Sequence, residues 1–487
     1  MLLILTDQQR ADTIGALGNP IIATPNLDRL AQGGVAFTSA YTPSPVCVAA
    51  RCSLIYGQYP YHTGCYDNGF PMPEDGRQTF IGALTAAGYR THGIGKCHFT
   101  GDLHGMRGFQ TREFQEELVR DRDADDYLRY LRGHGFGHVT DPHGVRGEMY
   151  YVPQPAQMPA ALHPTQWVGD RATAFIQEQA GERPWLLYAG FIHPHPPFSP
   201  PAPWHKLYRA PLMPLPHVPQ DVEALWTYVN RWQNRYKYRD QGMDQNLVRC
   251  LKAYYYACIS FIDFQVGRML DALEATGQLD NTLILYTSDH GELLGDYHCF
   301  GKRSMHDACA RVPLLARLPG RFAADQRCDR LASLVDIAAT VLAATGTNFD
   351  SHELDGLDLA ALAAGAPERG AIFSQIQREG LAIYTAVTER WKYAYSAADQ
   401  QEFLFDRHTD PLETRNRAGL PFVQHELETM RRLLVDELRA AGEAAALDGE
   451  RWQVYPRLSM APDPDTGLLV QDHPWAAVDL PAYTTRC

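Results

Sequence analysis

Short apolar runs alternate along the chain with segments of helical character. The runs at 2–6, 185–190 and 283–288 consist of consecutive apolar residues, as in strands that are buried on both faces. Between them lie helix-like segments such as "TPNLDRLAQGG" (24–34), where a threonine cap precedes a proline and a glycine ends the helix. This alternation predicts an α/β fold with a mostly parallel central sheet covered by helices on both faces.

The pattern changes after residue 358. "IFSQIQREGLAIYTAVTERWKYAYS" (372–396) alternates as in antiparallel hairpins, and a further strand and turn precede a helix expected at 423–446. We therefore predict two parts: a larger α/β domain over 1–365, and a smaller α+β subdomain with an antiparallel sheet and an extended tail over 366–487.

Polar residues follow the predicted buried strands at the points where those strands end. They are Asp7–Gln8, Lys96–His98, His193–His195 and Asp289–His290. Because ligands bind at the carboxyl ends of the strands in such sheets, these residues predict one shared site.

Composition excludes some classes of function. Lys and Arg number 44 and Asp and Glu number 57, so the formal net charge of −13 argues against non-specific nucleic-acid binding. A small anionic substrate is compatible with this net charge, since a local basic pocket outweighs distant charge at physiological salt.

No apolar run is long enough to span a membrane and the first residues lack signal-peptide features, so we expect no membrane association. The ten cysteines form no CxxC pair, and we expect reduced thiols and a cytoplasmic location.

The segment "YTPSPVCVAARCSLIYGQYP" (41–60) combines a cysteine and an arginine at a predicted helix start. A lone cysteine is usually structural. Here the helix over 48–56 puts Cys47 at its N-terminus, where free N–H groups favour an anion, and Arg51 lies one turn further on the same face. A nucleophile, a cation and a helix N-terminus suit transfer of a sulfate-like or phosphate-like group.

Cys47 to Arg51 resembles the sulfatase signature Cys-x-Pro-x-Arg, with Ala49 in place of the proline and Tyr56 in place of the usual Ser/Thr before Gly57. In the formylglycine-dependent sulfatases of the alkaline phosphatase superfamily, a modifying enzyme oxidises this cysteine to formylglycine. The hydrated aldehyde then binds the metal and attacks sulfur. The resemblance implies the same reaction at Cys47, with that modifying enzyme as a partner.

Two further motifs carry the resemblance. "DQQR" (7–10) resembles the sulfatase pattern after the first strand, and "TSDHGELLGDYHCFGK" (287–302) resembles the second signature. They imply that Lys302 contacts the substrate anion and that one divalent ion, Ca²⁺, Mn²⁺ or Mg²⁺, is held mostly by hard ligands. The implied ligands are Asp7, Gln8, Cys47 as formylglycine, Asp289 and His290.

The remaining motifs imply substrate contacts. "GIGKCHFTG" (93–101) resembles GKWHxG, so Lys96 and His98 bind the leaving-group oxygen or the formylglycine oxyanion. "HPHPPF" (193–198) resembles RPHxPF, in which His195 donates a proton to the leaving group. Asn68 in "YDNG" is a further candidate substrate contact.

Hydrolysis of sulfate monoesters to sulfate and an alcohol is therefore the expected function, in a homo-oligomer. A phosphonate monoester or phosphodiester hydrolase is the alternative, because "GDYHCFGK" resembles the "GDHHLLGK" of those enzymes. Lys96 and His98 favour a sulfatase, since uncharged hydroxyl-bearing residues stand there in phosphonate hydrolases. If Cys47 stays a thiol, a catalytically weak or inactive metal- or anion-binding homologue is the second alternative.

Overall fold

An eight-stranded sheet forms the centre of the computed structural model, which describes residues 1–119, 121–146, 150–179, 181, 183–237, 244–367, 369–460, 469–470 and 473–474. Its strands are β1 (Leu2–Thr6), β2 (Val35–Tyr41), β3 (Arg90–Gly95), β4 (Thr111–Phe114), β5 (Trp185–Gly190), β6 (Ile284–Ser288), β7 (Leu314–Arg317) and β8 (Gln326–Ser333). The order is β4-β3-β5-β1-β6-β7-β2-β8; β7 is antiparallel to both of its neighbours and the other pairs are parallel. The predicted mostly parallel sheet is confirmed.

Helices cover both faces of this sheet. The α-helices of the described chain, not all of which pack on this sheet, are α1 (Pro25–Gln32), α2 (Cys47–Tyr56), α3 (Pro60–Thr63), α4 (Phe80–Ala86), α5 (Asp126–Gly133), α6 (Pro164–Glu178), α7 (Tyr228–Lys237), α8 (Gln245–Ala275), α9 (Asp307–Ala310), α10 (Asp336–Thr345), α11 (Leu359–Ala363) and α12 (Gln424–Ala440). Within β1, Leu3 and Leu5 join the core under α2, α4 and α10, whereas Leu2 and Ile4 join the core under α1, α6 and α8. This two-sided burial explains the continuous apolar run of the strand.

The cap of α1 differs from the prediction. Thr24 precedes the helix, but its hydroxyl accepts from the Gly15 N–H (2.8 Å) and donates to the Asp28 carboxylate (3.1 Å) instead of accepting from a backbone N–H of the first turn. The backbone N–H groups of Asn26 and Leu27, which have no partner within the helix, donate to the Asp263 carboxylate of α8 at 3.0 and 2.7 Å. A carboxylate distant in sequence therefore caps this helix.

The C-terminal region forms a separate antiparallel sheet in the order β12-β11-β10-β9. Its strands are β9 (Ile372–Ile376), β10 (Ile383–Val387), β11 (Trp391–Ser396) and β12 (Gln401–Asp406), which confirms the predicted hairpins. α12 packs on the sheet through Leu427, Met430 and Leu434. This helix ends at Ala440 rather than 446, because Gly442 with φ of 74° leaves the helical conformation.

Short pairs complete the described chain: β13 (Leu447–Asp448) with β14 (Arg451–Trp452), and β15 (Leu469–Val470) with β16 (His473–Pro474). Most of the predicted tail, from 461 onward, lies outside the described residues. The division at 365/366 stays a prediction. Within the described part of the chain, none of the helices combines the length and apolar character needed to cross a bilayer.

Candidate active site

The site is built where four neighbouring strands end. β3, β5, β1 and β6 are adjacent in the sheet, so the residues after them meet at one edge. Lys96 Nζ lies 2.5 Å from Asp7 Oδ2, and the Gln8 N–H donates to Asp289 Oδ1 at 3.0 Å. All four residues are buried. Sheet topology therefore brings together residues that are up to 282 positions apart (289 − 7).

Cys47 is the first residue of α2 and is fully buried. Its Sγ lies 2.6 Å from Lys302 Nζ, 3.3 Å from His290 Nε2 and 3.6 Å from Asp7 Oδ1. Burial raises the pKa of the thiol, as does Asp7, but the cations Lys302 and Lys96 outweigh both, so the net pKa of Cys47 is lowered. The helix start and these cations favour a negative charge at position 47.

The far end of α2 explains Gly57, which follows Tyr56. Gly57 has a φ of 67°, and an added Cβ would meet Ala338 Cβ and Leu354 Cδ2 at 2.8 Å each. Both the left-handed conformation and the close packing require glycine here. The helix that carries Cys47 is thus fixed at both ends.

Arg51, one turn after Cys47 on α2, forms ion pairs with the carboxylates of Asp7 and Asp289. Its Nε is 2.8 Å from Asp289 Oδ2 and its Nη2 is 3.2 Å from Asp7 Oδ2. Its Nη1 donates to Lys96 O (2.8 Å) and to the Tyr188 hydroxyl (3.1 Å). With these contacts Arg51 holds the two carboxylates in place, and it does not line the cavity beside Cys47.

Four side chains offer a set of ligand atoms for a metal. The ligand atoms of Asp7, Cys47, Asp289 and His290 lie within 4.8 Å of one another. Gln8 Nε2 bonds to Glu292 Oε2, while Gln8 Oε1 is buried and has no hydrogen-bond partner among the described residues. These oxygen and nitrogen atoms fit a hard divalent cation, whereas the soft sulfur does not. An oxygen at position 47 would complete the fit.

A cavity of about 190 Å³ opens beside Cys47. Its lining combines residues that the sequence motifs predicted with others that no motif marked. The first group consists of Cys47, Asn68, His98, His195 and Lys302; the second consists of Leu103, Glu116, Glu117, Leu118 and Arg146. Asn68 Oδ1 also accepts from the Val48 N–H at 3.1 Å, which connects the cavity wall to the start of α2.

The two cavity histidines are neutral in the substrate-free protein. Burial, followed by the charge of Lys96, lowers the pKa of His98 to about 3. Burial and the charge of Lys302 hold the pKa of His195 well below its usual range. His195 Nδ1 is 2.8 Å from Pro196 O and therefore carries the proton, so Nε2 faces the Tyr150 hydroxyl at 3.4 Å as an acceptor. An anion in the cavity raises both pKa values.

Sequence reasoning missed Glu117 and Arg146. Both come from the insertion at 102–165, which matches no motif, and they meet the site only through the fold. Glu117 pairs with Lys96, with Arg146 at 3.3 Å and with His195 at 3.6 Å. By contrast, His193 of the quoted "HPHPPF" bonds to Thr165 and Ser199 at 3.3 and 3.1 Å, outside the cavity lining.

Comparison with known proteins agrees with this geometry. A family model described as Sulfatase matches residues 1–347. The chain belongs to the sulfatase family. A second model, N-sulphoglucosamine sulphohydrolase, C-terminal, matches residues 295–440.

Several relatives of this sulfatase family member match most of the chain. An arylsulfatase of Clostridium perfringens is 28% identical, over 94% of this chain and 98% of its own. A multifunctional alkaline phosphatase superfamily protein of Trinickia caryophylli is 29% identical, over 86% and 91%. The solved structure of a phosphonate monoester hydrolase from Silicibacter pomeroyi superposes with a TM-score of 0.80 at 25% identity, over 94% of this chain and 99% of its own. The expected alkaline-phosphatase-like fold and sulfuric ester hydrolase class are confirmed.

Proposed function

We propose that this protein hydrolyses sulfate monoesters, releasing sulfate and an alcohol, with residue 47 as the nucleophile after a modifying enzyme has oxidised Cys47 to formylglycine. The observation that carries the proposal is the position of Cys47. It starts a helix, belongs to a cluster of metal-competent side chains, and faces both Lys302 and the cavity.

The residues around position 47 fit a single divalent ion. Asp7, Asp289, His290 and the modified residue 47 would hold it, together with the buried Oε1 of Gln8, and Ca²⁺, Mn²⁺ and Mg²⁺ all suit this mainly oxygen set. When bound, the ion supplies Lewis acidity, and formylglycine supplies a hydroxyl oxygen as the nucleophile. Arg51 keeps the Asp7 and Asp289 carboxylates in position through its ion pairs.

The cations of the cavity bind the substrate anion. Lys302 lines the cavity and is the donor that stabilises charge on the sulfate oxygens, and Asn68 adds a polar contact. Lys96, which pairs with Asp7 outside the cavity lining, assists as a second cation. His98 orients the leaving-group oxygen. His195 donates the proton to the leaving alcohol once the bound anion has raised its pKa.

A phosphonate monoester or phosphodiester hydrolase is the second candidate. The fold similarity to the Silicibacter pomeroyi enzyme favours it, and sulfate and phosphonate esters share size and tetrahedral geometry. Lys96 and His98 favour the sulfatase, as the motif comparison indicates. If Cys47 remains unmodified, the inactive homologue is the third candidate.

Turnover of a chromogenic sulfate ester tests the proposal. The protein is produced together with a formylglycine-generating enzyme and assayed with Mn²⁺ or Ca²⁺ and after chelation, beside a matched phosphonate monoester. Metal-dependent release of sulfate, with a higher kcat/KM for the sulfate ester, is expected. Preference for the phosphonate ester selects the second candidate, and loss of both activities in fully converted protein contradicts both.

We also propose a cytoplasmic location and a homo-oligomeric state. The location is supported by the nine cysteines of the described chain, all of which are free thiols. Fractionation of the native host and light scattering of the purified protein test the two proposals. Recovery in an extracytoplasmic fraction, or the mass of a single chain, would contradict them.

A further inference from the structure

The Glu117 carboxylate lies in the cavity that is the proposed binding site of the substrate anion. It lines the cavity together with Cys47 and Lys302. Its Oε1 pairs with Lys96, and its Oε2 lies 3.3 Å from Arg146 Nη1 and 3.6 Å from His195 Nδ1. A negative charge among the groups that bind a substrate anion opposes binding of that anion, so its presence calls for a physical explanation.

The effect of Glu117 on the cavity is to compensate the charge of Lys96. The Lys96 ammonium is fully buried and lies between two carboxylates, Asp7 at 2.5 Å and Glu117. Because both partners are negative, Lys96 adds little net positive potential for a ligand. Arg146 is compensated in the same way by Glu117. Removing this one carboxylate would increase the net charge at the cavity by one unit.

The neighbouring Glu116 does not have this role. Its Oε1 accepts from the N–H groups of Cys97 and His98, at 3.1 and 2.9 Å, and faces Arg112 at 3.7 Å. Its charge is thus directed to the backbone of the loop that follows β3. Of the two adjacent carboxylates, Glu117 is the one that pairs with Arg146 of the cavity lining and with the buried Lys96 ammonium.

We propose that Glu117 is a specificity-determining residue that adapts the anion cavity to monoanionic esters and against dianionic ones. Sulfate monoesters and phosphonate monoesters carry one negative charge, whereas phosphate monoesters carry two above a second ionisation at about pH 6. All three are tetrahedral and similar in size, so charge is the property that separates them. This inference rests on the proposed function, because it concerns the substrate class of the same site.

The kinetic test compares esters of one phenol. Metal-loaded wild type and Glu117→Gln are assayed at about pH 8 with p-nitrophenyl sulfate and p-nitrophenyl phosphate, where the phosphate ester is a dianion. Glutamine keeps the shape and removes the charge. The ratio of kcat/KM for phosphate over sulfate should rise about tenfold or more, as expected for one unit of charge at contact distance. Glu117→Asp, which keeps the charge, should leave the ratio close to that of wild type.

A matched control removes a charge from the same segment outside the cavity. Glu113 on β4 pairs with Arg171 and His92, so Glu113→Gln should leave the ratio unchanged. A ratio that stays constant in Glu117→Gln, or that rises equally in Glu113→Gln, would overturn the inference.

A binding measurement separates this inference from the proposed function. Calorimetric titration of Cys47→Ala and Cys47→Ala/Glu117→Gln with phenyl sulfate and phenyl phosphate needs no turnover. Selective strengthening of phosphate-ester binding in the double variant supports the charge role of Glu117, whether or not the wild type hydrolyses a sulfate ester. Absence of sulfate-ester hydrolysis in the wild type would contradict the proposed function alone. Equal changes for both ligands would contradict the inference while leaving sulfate hydrolysis intact.

Discussion

Two clusters of mostly buried charge include residues of the segment 289–307, which carries Lys302, and they differ in whether their ligand atoms converge on one point. The cysteine cluster consists of Asp7, Cys47, Arg51, Asp289 and His290. The anchor cluster consists of Asp307, Lys392, Glu413 and His306, and it joins this loop to β11 of the C-terminal sheet. In the anchor cluster every charge has a partner close by. The cysteine cluster instead directs several ligand atoms to one point and opens into a cavity.

The contacts of the anchor cluster show how it is closed. Lys392 Nζ lies 2.7 Å from Asp307 Oδ1, donates to Met305 O at 2.8 Å, and pairs with Glu413. Glu413 Oε2 also accepts from the Asp307 N–H at 2.9 Å and lies 3.3 Å from His306 Nδ1. Arg311 lies 3.6 Å from Asp307 Oδ2, so two cations face the two carboxylates and the charges balance without a metal ion. Burial of charge therefore does not by itself mark a functional site; convergence of ligand atoms on a cavity does.

The largest expected effect comes from removing the nucleophile of the cysteine cluster. Cys47→Ala should lower kcat for a sulfate ester by about a thousandfold or more, since the step that depends on this residue is lost. The measurement is steady-state turnover of p-nitrophenyl sulfate. Cys52→Ala is the matched control, because Cys52 is buried on the same helix within the hydrophobic core. Equal losses in both variants would assign Cys47 a structural role.

Breaking the anchor cluster should cost stability instead. Lys392→Met removes the ammonium that pairs with the buried Glu413 and with the partly buried Asp307, which keeps only Arg311 at 3.6 Å. Breaking such a buried pair costs about 3–5 kcal/mol in the free energy of unfolding. Urea denaturation with and without divalent cations measures it. The cost should be the same in both conditions, because this cluster binds no ion. A cost that disappears when metal is added would contradict the distinction between the clusters.

Divalent cations should stabilise the cysteine cluster selectively. An ion at a hundredfold excess over its Kd adds about 2.7 kcal/mol to the free energy of unfolding. The rise in melting temperature on adding Mn²⁺ or Ca²⁺ should be lost in Asp289→Asn. It should persist in Glu413→Gln, whose altered side chain lies in the anchor cluster. Persistence in both variants would place the ion elsewhere.

The smallest expected effect concerns acid pH. Burial raises the pKa of Asp307, but Lys392 and Arg311 outweigh it and lower the pKa to about 2 from an ordinary 3.8. Because the folded pKa is depressed, this stabilisation is present above pH 3.8 and is lost as pH falls through 2, amounting to roughly 2 kcal/mol. Asp307→Asn should flatten the decline in stability over that window. An unchanged decline would mean that Asp307 is not paired in the folded state.

The sequence predicted the parts of the site that local patterns specify. Buried strands read as apolar runs, and the polar residues after them meet because parallel strands end at one edge. The position of Cys47 followed from helix-start chemistry and the signature around it. These features depend on neighbours in sequence or on a general rule of sheet topology.

Features that depend on specific tertiary contacts could not be predicted. Glu117 enters the cavity from an insertion without a motif, and Asp263 caps α1 from 237 positions away. Arg51 was expected beside the nucleophile, but its ion pairs with the two carboxylates that the sheet brings beside it were not predicted. The contact between Glu292 and Gln8 could have been predicted, since Glu292 belongs to the second signature at 287–302.

The chemical state of residue 47 tests the central claim most directly. The protein, produced with a competent formylglycine-generating enzyme, is labelled with an aldehyde-reactive probe and digested, and the peptide containing residue 47 is analysed by mass spectrometry. We predict formylglycine in place of Cys47. An unmodified cysteine would mean that Ala49, at the usual proline position, prevents recognition by that enzyme, and it would contradict the proposed mechanism.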